Sequence, residues 1–441
     1  MATVVNEGSF NPVTALRGTS VGVNRLSVLD GLRGVAALLV FTRHAWGFAG
    51  HPRYGITNSF SLDWFFVQSR AVDLFFILSA FLLGGQFFRS AIQGRTVIST
   101  KSFLFRRFVR IFPAYWLILV LLLTVFVPWL VSSDDVYSGK GFLAFIGFIP
   151  ALSNVFPWSS GKFFVISPVW TLTHELTFYL LLPLIWPLFR SRRWKISLVV
   201  STFLTFGWLF FIRTSFGIDF ADSVGQMANS SLDGPDLGRI FLVNQFPSFV
   251  FSFALGTALS SIWANTQNPD CKKSLLARHP QKFLYLGLLI SLVSMGFLGR
   301  LTINNGFEDV FALARDTSFE GTVFYYLEHT LTAVGFFFIL SGVVFTDRPL
   351  RILNWNWLRA LGILGYGVFL IHFPVLYVQD NLSWLDQISP AFRFPVAWVI
   401  GLVTTIGLAI VLWFAVERPV IAFSHRHKEK TKSSLLKQEI E

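Results

Sequence analysis

The residues most able to do chemistry are ionisable side chains that lie inside apolar stretches, where burial in lipid is costly. His44, Glu175 and Asp73 are three of them. Counting about 1.5 Å for each helical residue places all three within roughly 10 Å of the same side of a membrane. Imidazole exchanges a proton readily near neutral pH, and a carboxylate can orient it. The pattern therefore predicts His44 as a general base, with Glu175 and Asp73 fixing or charging its ring.

Further polar or aromatic residues are expected at this depth or on the side of the site where an acceptor would enter: His372, Tyr179, Trp170, Glu328 and His329. His372 or His329 is the alternative base if His44 is not. For every one of these side chains, the alternative interpretation is a polar group that only hydrogen-bonds a neighbouring helix.

Arginines lie at the other end of the same apolar segments. Arg33 precedes His44 by eleven residues, which returns a helix to within roughly 20° of the same face, about 16 Å away. Arg106, Arg107 and Arg110 precede Pro113 at helical spacings, so that Arg106 and Arg110 share a face. Arginines so placed can make paired hydrogen bonds to phosphate oxygens.

This polarity matches a coenzyme A thioester, which has phosphates at one end and a reactive carbonyl at the tip of a flexible arm. Three alternatives remain open. Arg33 could be an arginine that extends to the membrane surface, and the arginines near Pro113 could serve topology alone. Asp30 could cap a helix N-terminus instead of contributing to a site.

The elements that must position these residues are membrane-spanning helices. The 441 residues are 53% hydrophobic and only 14% charged, unlike a soluble domain. Apolar segments near the length that spans a bilayer recur along the chain, and they predict an all-α bundle of about ten transmembrane helices: residues 32–49, 70–88, 111–131, 168–189, 196–212, 240–263, 283–299, 323–345, 360–378 and 395–416. The shorter run 141–152 is expected to be interfacial or re-entrant.

Loop charge predicts the orientation. The cations concentrate in alternate loops, at residues 89–107, 190–195, 272–282 and 348–351, and in the tail after Glu417. The positive-inside rule makes these segments, and hence both termini, cytoplasmic. In so apolar a chain the net charge of +12 indicates contact with anionic lipid and no nucleic acid.

Other site chemistries find little support in the sequence. The lone Cys271 permits neither an internal disulfide nor a cysteine zinc site. No metal site and no permanently bound cofactor are expected. The first 24 residues lack the apolar core of a signal peptide.

Several of these residues belong to motifs in a fixed order. The motifs are residues 29–34 (LDGLRG) with His44, 71–79 (AVDLFFILS), 106–116 (RRFVRIFPAYW), 170–175 (WTLTHE), 366–372 (YGVFLIH) with Pro374, and 417–419 (ERP). Together they resemble the acyltransferase 3 family of membrane O-acyltransferases. Ala80, Thr171, Thr173 and Gly365 depart from the usual pattern, but none of them removes an ionisable group.

The resemblance implies an acyltransferase domain over residues 28–419, between a disordered cytoplasmic tail (1–27) and a basic one (420–441). It implies acyl-CoA as a cytoplasmic co-substrate and a glycan, lipid-linked sugar or small hydroxylated molecule as acceptor. His44 and Glu175 match the family's histidine and glutamate, while Arg33, Arg107 and Arg110 match its arginines. The expected location is the bacterial cytoplasmic (inner) membrane.

The chemistry expected is transfer of an acyl, most simply an acetyl, group to a hydroxyl, with an acyl-histidine intermediate as a variant. A different class remains open, namely a proton-coupled transporter or flippase of a glycan or acidic substrate that uses the same histidines and carboxylates as a relay. A noncatalytic membrane scaffold is the third hypothesis.

Overall fold

The fold is known from a computed structural model, which describes residues 11–17, 28–50, 55–57, 60–61, 71–94, 98–126, 170–227, 242–268, 271–298, 319–346, 350–382 and 384–424. The predicted short run 141–152, the tail after residue 424 and most of the predicted outer loops lie outside these residues.

The described chain is almost entirely helical. Its helices are α1 (Pro12–Arg17), α2 (Val28–Phe48), α3 (Ala71–Ile92), α4 (Thr100–Leu121), α5 (Trp170–Ile185), α6 (Trp194–Phe211), α7 (Ser215–Met227), α8 (Val250–Asn265), α9 (Leu275–Arg278), α10 (Pro280–Leu292), α11 (Phe319–Phe345), α12 (Asn356–Ile363), α13 (Gly365–Asn381) and α14 (Pro390–Leu412). The strands β1 (Gly55–Thr57) and β2 (Phe60–Ser61) form a small antiparallel pair that the all-α prediction did not include.

Each of the ten predicted apolar segments contains a helix. Six described helical segments are long and apolar enough to cross a membrane, and a bent pair makes a seventh. Of the remaining three, α2 and α4 carry several charged side chains, and α10 has only 13 residues. The protein is therefore a helical, multi-pass membrane protein.

The bent pair corrects one predicted segment. The apolar run 360–378 was expected to form a single helix, but α12 and α13 meet at an angle of 77°. Glycines stand on both sides of the break, at Gly362 and Gly365. Glycine tolerates the departure from helical geometry at a break better than other residues do.

Close helix contacts hold the bundle together. A Cβ atom at Gly256 of α8 would overlap the backbone oxygen of Ile77 in α3. A Cβ at Gly34 of α2 would likewise overlap the backbone oxygen of Leu358, and one at Gly362 would overlap that of Asp30. Small residues let helix backbones approach closely, which is how membrane helices gain packing energy.

The structure describes a short helix within the N-terminal segment 1–27, for which disorder is predicted. Pro12–Arg17 forms α1, in which Val13 and Leu16 are buried. The indole Nε1 of Trp413 donates a hydrogen bond to the backbone oxygen of Leu16, at 3.1 Å. Two apolar side chains in a polar stretch were too short a signal to predict this helix.

Candidate active site

A cavity of about 340 Å³ lies between α2, α3, α4, α5 and the α12–α13 break. We call it the basic cavity, because four arginines line it: Arg33, Arg89, Arg107 and Arg110. Glu175 is the acidic residue among its described lining. These five side chains leave a net charge of +3 facing the cavity.

One face of α3 forms a wall of the basic cavity. The residues of α3 that line the cavity form one stripe with a period of three to four positions: Val72, Phe75, Phe76, Ser79, Leu82, Leu83, Gln86 and Arg89. This is the spacing of a single helical face. Asp73 and Ile77 are buried on other faces, and α3 packs there against α8. Arg89 and Gln86 are thus site residues that the sequence analysis missed, although their spacing from Ser79 could have indicated them.

The arginines before Pro113 divide between two environments. Arg107 and Arg110 line the basic cavity, whereas Arg106 does not. Nη1 of Arg106 instead donates a hydrogen bond to Oγ of Ser102, at 2.6 Å. The pair that lines the cavity is therefore Arg107 and Arg110, as the resemblance implies, and not Arg106 and Arg110, as helical spacing alone suggested.

The basic cavity is suited to an anion. The buried Nε of Arg107 has no hydrogen-bond partner within the described residues. Nη1 of Arg33 lies 3.9 Å from Oδ1 of Asp30, which is an ion pair without a close hydrogen bond. Asp30 lies inside the first turn of α2 and is not its cap. Phosphate oxygens would satisfy donors that the protein leaves incompletely matched.

Glu175 belongs to this cavity and contacts a tyrosine. Oη of Tyr179 donates a hydrogen bond to Oε2 of Glu175, at 2.5 Å. The negative charge of Glu175 acts on Arg33, and Tyr179 interacts with Arg107. Tyr179, expected on the acceptor side, therefore lies among the arginines instead.

The central contact beyond the basic cavity joins two histidines. Nε2 of His372 lies 3.0 Å from Nδ1 of His44, across from α13 to α2. His372 is 1% exposed, while His44 is only partly buried. Phe373 packs edge-on against His44, with ring centroids 5.2 Å apart. The sequence placed the two imidazoles at one depth, and the structure shows that they touch.

Backbone carbonyls determine which nitrogens carry protons. Nδ1 of His372 lies 2.7 Å from the oxygen of Phe369 and 3.1 Å from that of Val368. A carbonyl oxygen can only accept, so this Nδ1 carries a proton. In the neutral ring Nε2 is then bare and accepts a hydrogen bond from Nδ1–H of His44. The remaining nitrogen of His44, Nε2, is left with a free lone pair and can act as a base.

The carboxylates expected to orient His44 have other partners. Oδ1 of Asp73 accepts a hydrogen bond from Oγ of Ser252, at 2.6 Å, and Glu175 contacts Tyr179. His372, expected on the acceptor side or as an alternative base, has the orienting position. The contact with His44 is made by His372, and a link from Glu175 or Asp73 to the imidazole stays a prediction.

Two of the remaining candidates pack against one phenylalanine ring. The rings of Trp170 and His329 pack against Phe249, with centroids 5.5 and 5.7 Å away. Glu328 is in α11, next to His329. A buried carboxylate that the sequence analysis named only within a motif, Glu417, lies where its charge interacts with Arg110. No group of three His, Cys, Asp or Glu side chains among the described residues could hold a metal ion.

Helical spacing connects the basic cavity to the histidine pair. Val40 and Phe369 line the cavity, and His44 and His372 follow them by one helical turn, about 5 Å. A ligand with phosphates at Arg107 and a flexible arm directed past Val40 would bring the end of its arm to His44. The site thus offers an anion-binding end and a basic end.

Comparison with known proteins identifies the family of the chain. The profile of a family described as "Acyltransferase domain", acyltransferase 3, matches residues 26–414. "Nodulation protein 10" of Rhizobium leguminosarum bv. viciae is 26% identical over 89% of the chain and 92% of its own length. "Putative peptidoglycan O-acetyltransferase YrhL" of Bacillus subtilis (strain 168) is 24% identical over 93% of the chain and 59% of its own length. "Protein 2 in picA locus" of Rhizobium radiobacter is 35% identical over 34% of the chain and 78% of its own length. No solved structure matches the chain.

The two arginine environments lead to a prediction about coenzyme A binding. Arg107→Gln should weaken the affinity of the purified protein for coenzyme A by about tenfold or more, because a charge-assisted hydrogen bond to phosphate is lost. Arg106→Gln removes the same charge one residue away but outside the cavity, and should change affinity by no more than about threefold. Calorimetry measures both. Equal losses in the two variants would show that only the overall charge matters.

Proposed function

The chain belongs to the acyltransferase 3 family and is an acyltransferase of groups other than amino-acyl groups, and from this premise we propose that it moves an acyl group from acyl-CoA to a hydroxyl of a glycan, lipid-linked sugar or small molecule. The observation that carries this proposal is the hydrogen bond between His44 and His372, one helical turn beyond a cavity lined by four arginines.

The donor would lie with its phosphates among Arg33, Arg107 and Arg110, the candidate donor-binding residues that line the cavity. Arg89 joins this set. The flexible arm would pass Val40 and Phe369 and present the thioester to His44. Acyl-CoA acts here as a co-substrate, and no permanently bound cofactor takes part in the proposed reaction.

His44 acts as the general base in this proposal. Its Nε2 takes the proton of the acceptor hydroxyl while the hydroxyl oxygen attacks the thioester carbonyl. The tetrahedral intermediate then collapses, the carbon–sulfur bond breaks, and the same proton passes to the leaving sulfur. The products are the O-acylated acceptor and free coenzyme A. Direct attack of His44 on the thioester, giving an acyl-histidine, is the variant of this route.

His372 positions the base. Its bare Nε2 accepts from Nδ1–H of His44, which holds the ring and stabilises the imidazolium that forms when the ring takes a proton. The third group of a catalytic triad has the same role. The ring of Phe373 packs against both imidazoles and against Phe48, at 4.9 Å. It would limit access of water, which would otherwise hydrolyse the thioester.

The acceptor class is supported by one relative whose name refers to peptidoglycan O-acetylation. We propose acetyl as the acyl group and a glycan hydroxyl as the acceptor. The proposed location is a bacterial cytoplasmic membrane, which separates cytoplasmic acyl-CoA from glycans on its outer surface.

The proposed topology has about ten spans and both termini in the cytoplasm. Accessibility tags at Arg192 and Lys272 should be cytoplasmic, and tags at Asp135, Asp233 and Asp309 should be extracytoplasmic, because cation-rich and cation-poor loops alternate. Selective labelling from each side of intact cells measures this. Labelling of Arg192 from outside would contradict the topology and would turn the basic cavity away from the acyl-CoA pool.

The histidine pair can be tested by transfer of label from radiolabelled acetyl-CoA in inverted membrane vesicles that contain the natural acceptors. His44→Ala should lower transfer by about 10²- to 10⁴-fold through loss of the base. Coenzyme A binding should persist, since the phosphates bind about 16 Å away. His372→Leu should also be strongly impaired, whereas His372→Gln should recover part of the rate, because its Oε1 can accept from Nδ1–H of His44.

The double variant His44→Ala/His372→Leu is the control for this test. Residues that act as one unit give a double variant no slower than His44→Ala alone. A multiplicative loss would show that His372 acts independently of His44. Near-normal transfer by a folded His44→Ala protein would overturn the mechanism.

A further inference from the structure

A second concave surface lies on another face of α5, away from the basic cavity. It is a groove of about 540 Å³ between α5, α6 and α8. Its lining is apolar except at Arg193, Ser197 and Ser201. The apolar lining residues include Phe178, Val200 and Phe253. Val200 is half exposed. We call this surface the α5–α6 groove.

Cations and tryptophans mark one end of the α5–α6 groove. Arg193 lines that end, and the neighbouring cations are Arg190, Arg192 and Lys195. The guanidinium of Arg190 lies 5.9 Å from the ring of Trp186, and Nζ of Lys195 lies 5.8 Å from the ring of Trp194. Tryptophan and basic residues gather where a membrane meets water. Arg193 therefore lies at headgroup level.

The length of the α5–α6 groove matches one lipid leaflet. Its lining on this side runs from Arg193, the residue before α6, to Leu204, eleven residues or about 16 Å. Half of a hydrocarbon core is about 15 Å. A chain that begins at the headgroup level of Arg193 would therefore end near the bilayer midplane at Leu204.

We propose that the α5–α6 groove is a binding site for an anionic phospholipid. The phosphate would pair with Arg193, and one acyl chain would lie along Val200, Leu204 and Phe253. The apolar lining requires a hydrocarbon chain, so a soluble phosphate does not fit the groove. The positive charge at its end favours a lipid with a net negative headgroup over a zwitterionic one.

A lipid in the groove would contact the side of α5 that faces away from the basic cavity and so stabilise the position of that helix. Phe178 and Leu181 of α5 face the lipid, while Glu175 and Tyr179 on the same helix face the basic cavity. A bound lipid would hold α5 against α6, a helix with little other burial. The proposal of a lipid site does not depend on the proposed acyl transfer, and its test does not use enzyme activity.

Native mass spectrometry of the full chain, released from detergent micelles, can measure the binding of dioleoyl phosphatidylglycerol and dioleoyl phosphatidylcholine. Phosphatidylglycerol should bind at least about tenfold more tightly, and Arg193→Gln should remove most of that preference through loss of a charge-assisted hydrogen bond. Arg192→Gln is the matched control, because Arg192 does not line the groove. It should change affinity by no more than about threefold.

Two tryptophan variants test whether the acyl chain lies along the apolar lining of the α5–α6 groove. Val199 and Val200 are adjacent and similarly exposed on α6, but only Val200 lines the groove. Val200→Trp should abolish retention of phosphatidylglycerol, and Val199→Trp should preserve it. Excess glycerol 3-phosphate should not displace the lipid. Equal effects within either pair of variants, or displacement by glycerol 3-phosphate, would overturn the proposal.

Discussion

The backbone contact between α2 and α12 is the constraint on which the rest of the site depends. Gly34 and Gly362 leave no space for a side chain between the two helices, so the helices have one depth and one rotation relative to each other. The 77° break after α12 then turns α13 to run beside α2. His372 consequently meets His44 at hydrogen-bond distance. A larger residue at either glycine would shift this contact by more than a hydrogen bond tolerates.

The two ends of the site have opposite electrostatic requirements. Bringing four arginines to one cavity costs free energy through mutual repulsion and desolvation, which Glu175 and Asp30 offset only in part. An anionic ligand removes that cost when it binds, so the basic cavity should bind phosphates in preference to water. The histidine pair needs the reverse, namely an apolar surrounding in which a neutral ring keeps its lone pair. Phe369 and Phe373 supply it on either side of His372. About one helical turn separates the two environments, which a flexible arm can cross.

The position of each residue along its own helix could be predicted from the sequence, but the contacts between helices could not. Helical periodicity predicts Arg33 and His44 on one face of α2, because that face depends on spacing alone, and both residues lie in this helix. Apolar length likewise located a helix in each predicted segment. Which residue touches His44 depends on which helices are neighbours. The membrane depth deduced from the sequence is similar for His372 and Glu175, so it does not distinguish them. The break at Gly362 and Gly365 lies inside one apolar run and was not predicted, because hydropathy indicates which residues are buried and not the direction of a helix axis.

The proposed mechanism requires that His372 hold His44 in the tautomer with a bare Nε2. Nitrogen NMR observes the tautomer of each ring directly, in protein labelled at its histidine rings and embedded in lipid bilayers near neutral pH. Spectra of the His44→Gln and His372→Gln variants assign the signals of the two rings. The account predicts a protonated Nδ1 and an unprotonated Nε2 on both rings, with a change in the His44 signals when His372 is replaced by leucine. A His44 ring protonated at Nε2 and bare at Nδ1, or one whose signals ignore the loss of His372, would contradict it.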